Sequence, residues 1–135
     1  MTGLFCAVAT TEGITVRVQP SFMPEDSDAM AGHWLWQYHI RIENGCGMPV
    51  RLIDRHWIIT DGHGKRRDVI GEGVIGEQPV IEPGGSYDYV SGCPLSTPMG
   101  SMRGRFGMVD GGGRRFEVEI PTFDLISPQS RSAAN

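Results

Sequence analysis

Glycine and proline interrupt this chain so often that helices have little room to form. The two longest runs free of both are residues 33–44 and 50–61. In the first, Trp34, Trp36, Tyr38, Ile40 and Ile42 alternate with His33, Gln37, His39, Arg41 and Glu43. That is the period of a strand with one apolar face, and Leu35 is the lone apolar residue on the other. Ile14, Val16 and Val18 repeat the pattern until Pro20, which is expected to end that strand. In the second long run the parity slips: Val50 and Leu52 share one phase, Trp57 and Ile59 the other. A β-bulge between Ile53 and His56 would return both pairs to one face, with Trp57 in the core.

The C-terminal half continues in the same way. Tyr87 and Tyr89 mark a short strand after the turn Pro83-Gly84-Gly85, and Met102, Phe106 and Met108 form one apolar phase. Phe116, Val118 and Ile120 follow the turn Asp110-Gly111-Gly112-Gly113. Setting Met108 opposite Phe116 places Phe106 opposite Val118 and Arg105 opposite Glu119, so an exposed ion pair is expected outside an apolar pair. Weaker strand patterns occur at residues 65–70 and 78–81. About seven short alternating strands predict an all-β, antiparallel two-sheet Greek-key sandwich. One domain is expected over residues 1–126, with a frayed polar tail at 127–135.

The formal net charge of −4 argues against a nucleic-acid partner. No apolar stretch approaches a membrane span, so no membrane partner is expected. Cys6, Cys46 and Cys93 are an odd set without CxxC spacing. With no leader-like N-terminus, they are expected to be reduced thiols in a cytoplasmic protein.

No arrangement of residues supplies a complete catalytic or metal-binding constellation. Ser91-Gly92-Cys93-Pro94 contains nucleophiles but no GxSxG and no sign of a base, which suggests a structural turn. His33, His39, His56 and His63 lack zinc spacing, and Asp61-Gly62-His63-Gly64 reads as a turn. No cofactor or metal is expected. Gly71-Glu72-Gly73-Val74-Ile75-Gly76 matches GxGxxG, but Glu77-Gln78-Pro79 follows where a phosphate-binding helix would have to start. A glycine-rich crossing loop with positive φ angles is the simpler expectation, while consecutive amides remain able to form an anion nest without a helix. Arg51, Arg55, His56, Lys65, Arg66 and Arg67 would make a basic patch if their strands were adjacent. The candidate partner- or ligand-binding residues are Arg55, His56, Arg66, Gly71, Glu72, Gly73, Val74, Ile75 and Gly76.

Arg55-His56-Trp57-Ile58-Ile59-Thr60-Asp61, the run from Gly71 to Pro79, and Ser91-Gly92-Cys93-Pro94-Leu95-Ser96-Thr97-Pro98 together resemble the ApaG family. Gly100-Ser101-Met102 through Met108, and Phe116 through Pro121, extend the resemblance to about residues 11–125. It implies a fibronectin type III-like or immunoglobulin-like sandwich in a bacterial cytoplasmic protein without established enzymatic activity. It also implies links to cobalt and magnesium efflux phenotypes and to diadenosine-tetraphosphate hydrolase operons. Similar domains in eukaryotic F-box proteins and in a polymerase-delta-interacting protein imply an interaction module. Two functions are therefore expected in order: a non-enzymatic module binding a protein through the glycine-rich loop or a sheet edge, and, as the alternative, a binder of phosphate-containing small molecules.

Overall fold

The structure, a computed structural model, describes residues 5–128. Among the described residues, nine strands form two antiparallel sheets. The first is ordered β1 (Ala7–Thr11), β2 (Ile14–Phe22), β3 (Trp34–Asn44) and β7 (Ser86–Leu95). The second is ordered β5 (Arg66–Glu72), β4 (Val50–Asp61), β8 (Met99–Asp110) and β9 (Arg115–Ile126), and β6 (Val80–Ile81) also pairs with β4. The chain passes between sheets from β3 to β4, returns from β6 to β7, and passes over again from β7 to β8. Two single turns of 3-10 helix, Pro24–Asp26 and Ala29–Ala31, lie between β2 and β3.

The core follows the alternation read from the sequence. Trp34, Trp36, Tyr38, Ile40 and Ile42 are all buried, and Leu35 is half-exposed on the other face. Trp57 stacks edge-on against Tyr38, Phe106 and Phe123 at centroid distances of 5.3, 6.4 and 6.0 Å, joining the two sheets. The β4 register shifts between Leu52 and Asp54, so the bulge is at Ile53. It brings Val50, Leu52, Trp57 and Ile59 into one core. Buried Asn44 secures the crossover to β4 by donating from Nδ2 to the Met48 and Ile81 carbonyls at 2.8 and 2.9 Å.

Some elements depart from the expectations. The β8–β9 register has Met108 on Phe116, Phe106 on Val118 and Arg105 on Glu119. The Arg105 ion pair nevertheless runs diagonally to Glu117 at 3.2 Å. Pro20 does not end β2, which continues to Phe22. The ladder with β1 stops at Val18, so no β1 carbonyl needs the missing N–H. Ser91-Gly92-Cys93-Pro94 is not a turn but the second half of β7, paired along β3. β7 is an edge strand, where proline is tolerated. The polar tail does not begin at Ser127: that residue is buried, and its N–H and Oγ both donate to the Pro98 carbonyl. Residues 129–135 of the expected tail lie outside the described residues.

Replacing Trp57 with alanine should cost about 3–5 kcal/mol in urea unfolding, because its ring fills the inter-sheet core. A loss below about 1 kcal/mol would contradict that placement. Cys6, Cys46 and Cys93 are unpaired thiols, respectively exposed, half-buried and buried. Burial pushes the Cys93 thiol up to about 11 against the pull of Arg67. In native protein near neutral pH, a thiol reagent should therefore label Cys6 and reach Cys93 only after denaturation. Equal labelling rates at the two positions would contradict the placement of Cys93.

Candidate interaction surface

Strands β5 and β6 occupy the same edge of β4. Asp54 pairs with Glu72, and three residues earlier Arg51 pairs with Val80. The intervening glycine-rich segment therefore does not cross between sheets. It is a finger inserted into one edge strand, because β4 offers both ends of the segment a place in the same ladder.

The Ile53 bulge holds the finger. With Ile53 pushed out of the β8 register, its carbonyl accepts the Gly73 N–H at 2.7 Å and the Gln78 side-chain amide at 2.8 Å. Arg55 Nη1 donates to the Glu72 and Gly73 carbonyls at 3.0 and 2.8 Å, and Gly71 leaves room for that guanidinium. Within the finger, the amides of Val74 and Glu77 donate to each other's carbonyls. Gly73 has φ +60°, and a Cβ there would lie 2.1 Å from the Glu77 carbonyl oxygen. Val74 is buried, while Ile75 is 57% exposed at the tip with φ +44°. Tyr87 supports the far side by donating its hydroxyl to Glu77 at 2.9 Å.

This geometry separates the nine candidate residues. Glu72 ends β5, Gly71 lies inside that strand without a positive φ, and Gly73 and Gly76 supply the left-handed positions. Val74 anchors the finger and Ile75 is presented. The Gly73, Val74 and Glu77 amides are already spent within the protein, and the Ile75, Gly76 and Gln78 N–H groups have no backbone partner among the described residues.

The expected basic patch is divided by the pleat. Arg55 and Arg67 share the inward phase of Trp57 and Ile59, whereas His56 and Arg66 face outward. Outside, Asp68 receives Arg66 Nε at 2.7 Å and lies 2.7 Å from His56 Nε2. Arg66 first, then His56, hold its carboxyl well below the usual range. Arg105 Nη2 is 3.0 Å from His56 Nδ1 and can only donate, so Nδ1 accepts and the Nε2 proton points to Asp68. The imidazole is thus held on both sides, with no nucleophile attached. No group of three or more His, Cys, Asp or Glu converges on a metal position among the described residues.

The ApaG domain profile matches residues 24–110. The chain belongs to the ApaG domain family. The protein ApaG of Bradyrhizobium diazoefficiens is 48% identical over 127 residues, covering 94% of this chain and 98% of that one. The protein ApaG of Rhizobium meliloti is 48% identical over 120 residues, covering 89% and 92%. The crystal structure of the putative ApaA protein from Bordetella pertussis superposes with a TM-score of 0.83 at 45% identity, covering 86% of this chain and 94% of that one. An Archaeoglobus fulgidus protein shares the fold at a TM-score of 0.53 and 9% identity, over 88% and 98% of the chains. In this ApaG-family chain, no helix among the described residues is long and apolar enough to cross a membrane.

The finger requires glycine at position 73. Gly73→Ala should lower stability by about 1–3 kcal/mol through the strained φ and the collision with Glu77. The Val74 and Glu77 amide resonances should move with it. Unchanged stability and spectra would contradict the finger geometry.

Proposed function

We propose that this ApaG domain is a non-enzymatic binding module that presents residues 71–78 and the β5–β6 edge to a protein partner. Ile75 carries this reading. A β-branched residue in the left-handed region costs about 1–2 kcal/mol, and its exposed side chain returns little burial to the fold. Strain held by a rigid frame, with an apolar group aimed at solvent, is the expected form of a preorganised contact. Ile70 and Val80 are exposed on the outward phase of the same edge, 72% and 47%, and extend the apolar surface on either side of Ile75. The first half of β5 carries Arg66, Arg67 and Asp68, charges that discourage indiscriminate edge pairing. Between Asp68 and Glu72 the strand carries no charge, and Ile70 is its exposed residue there. Binding of an extended segment along this edge, with Ile75 as anchor, fits the arrangement and needs no catalytic group.

A photo-crosslinking residue placed at position 75 or 70 should give one discrete protein adduct on irradiation in cells. The same probe at Val8 or Met99, exposed apolar positions elsewhere, should give none. Ile75→Gly, added to the position-70 probe, should abolish the adduct while leaving thermal stability unchanged or raised, since it relieves the strain. Adducts that arise equally from positions 8 and 99, or that survive Ile75→Gly, would remove the finger as the docking element.

A further inference from the structure

The sandwich is closed on one side and open on the other. β1 and β2 pack on β9, and Thr11 Oγ1 accepts the Glu119 N–H at 3.1 Å. On the opposite side a cleft runs between the edge strands β5 and β7. Its inner part, about 160 Å³, is lined by Arg55, Arg67, Tyr38, Ser91 and Cys93 over Trp57. It opens into a mouth of about 320 Å³ bordered by His33, Lys65, Asp61, Leu95 and Ser96, with Ile59, Arg67 and Pro94 shared by both parts.

The cations in this cleft have no carboxylate partner among the described residues. Arg17, Arg41, Arg66, Arg105, Arg114 and Arg115 each pair with a carboxylate. Among the described residues, Arg51, Arg55, Lys65, Arg67 and Arg103 do not, and Arg55, Lys65 and Arg67 all line the cleft. Arg55 uses Nη1 on the finger carbonyls, which leaves its Nε and Nη2 donors for the cleft. Arg67, exposed on its outer side, reaches the buried Cys93 sulfur at the waist. Two guanidiniums thus border one cavity with no carboxylate paired to either, which leaves a local positive potential there. The Asp61 carboxylate at the mouth is turned toward its own turn, where the Lys65 and His63 amides donate to it at 2.9 Å.

A second unmatched group lies in β7, two residues before Ser91 and behind the cleft lining. The Tyr89 hydroxyl is buried without a hydrogen-bond partner. Burial raises its pKa well above the ordinary value and the Tyr38 hydroxyl adds to the rise, while the Arg55 guanidinium pulls it down, so the hydroxyl lies within the field of both cleft residues.

We propose that the β5–β7 cleft binds a phosphate oxyanion, with Arg67 and the free donors of Arg55 on the anion and the Ser91 and Tyr38 hydroxyls completing its shell. Lys65 adds attraction at the mouth. Ile59, Pro94 and Leu95 offer an apolar seat to an organic group carried by the phosphate. The site stands apart from the finger tip and independently of the protein-binding role.

Inorganic phosphate titrated at constant ionic strength into labelled protein should give saturable amide shifts confined to residues 67–69 and 91–95, with a Kd on the order of millimolar. Arg67→Gln should weaken binding about tenfold or more, about 1.4 kcal/mol. Arg103→Gln should leave it unchanged, and matched melting curves would show both variants folded. Phenyl phosphate distinguishes the source: tighter binding with added shifts at Leu95 and Ser96 assigns a phosphorylated organic ligand, and equal binding assigns phosphate itself. Saturable shifts centred on Gly76, shifts indifferent to Arg67→Gln, or no saturable response would overturn the proposal.

Discussion

The extra residue at Ile53 is the constraint from which both faces of this molecule follow. Without it, β4 would turn either Val50 and Leu52 or Trp57 and Ile59 out of the core, since a one-residue slip reverses every later side chain. Only with the bulge does Trp57 reach Tyr38, Phe106 and Phe123. The same irregularity leaves the Ile53 carbonyl free to accept the Gly73 N–H and the Gln78 amide. A single backbone feature therefore completes the core and ties the base of the exposed finger to the most rigid part of the fold.

Arg55 is the second link between structure and function. It shares the inward phase of Trp57, yet its position opposite Gly71 lets the guanidinium lie against backbone. One nitrogen closes the finger, and the rest of the group looks into the open side of the sandwich. The closed side, where β1 and β2 pack on β9, has its charges matched: Arg114 meets Glu12 and Asp110. The β5 edge thus carries exposed Ile70, Ile75 and Val80 outside and the unpaired cations Arg55, Lys65 and Arg67 inside.

What was legible in the sequence was whatever depends on local alternation. The parity of Trp34 through Ile42, the β8–β9 register and the need for a bulge in β4 all follow from which residues require burial. What was hidden depends on partners distant in sequence. β1 escaped because its half-buried residues Ala7, Ala9 and Thr11 are too small to mark a face and its larger Val8 points to solvent. Pro94 suggested a turn until β7 proved to be an edge strand. Val74 and Ile75 look equivalent in sequence, and only the mutual Val74–Glu77 hydrogen bonds show that one is buried and the other displayed. The cleft could not be read at all, since Arg67 and Ser91 are brought together by sheet packing rather than spacing.

A preorganised contact requires the finger to be rigid in the free protein, and backbone ¹⁵N relaxation measures that directly. Anchored at Ile53 and clamped by Arg55, the amides of residues 73–77 should show order parameters near those of β4 and β5, about 0.85. Values below about 0.6 at Ile75 and Gly76, with the strands remaining rigid, would contradict a preorganised finger.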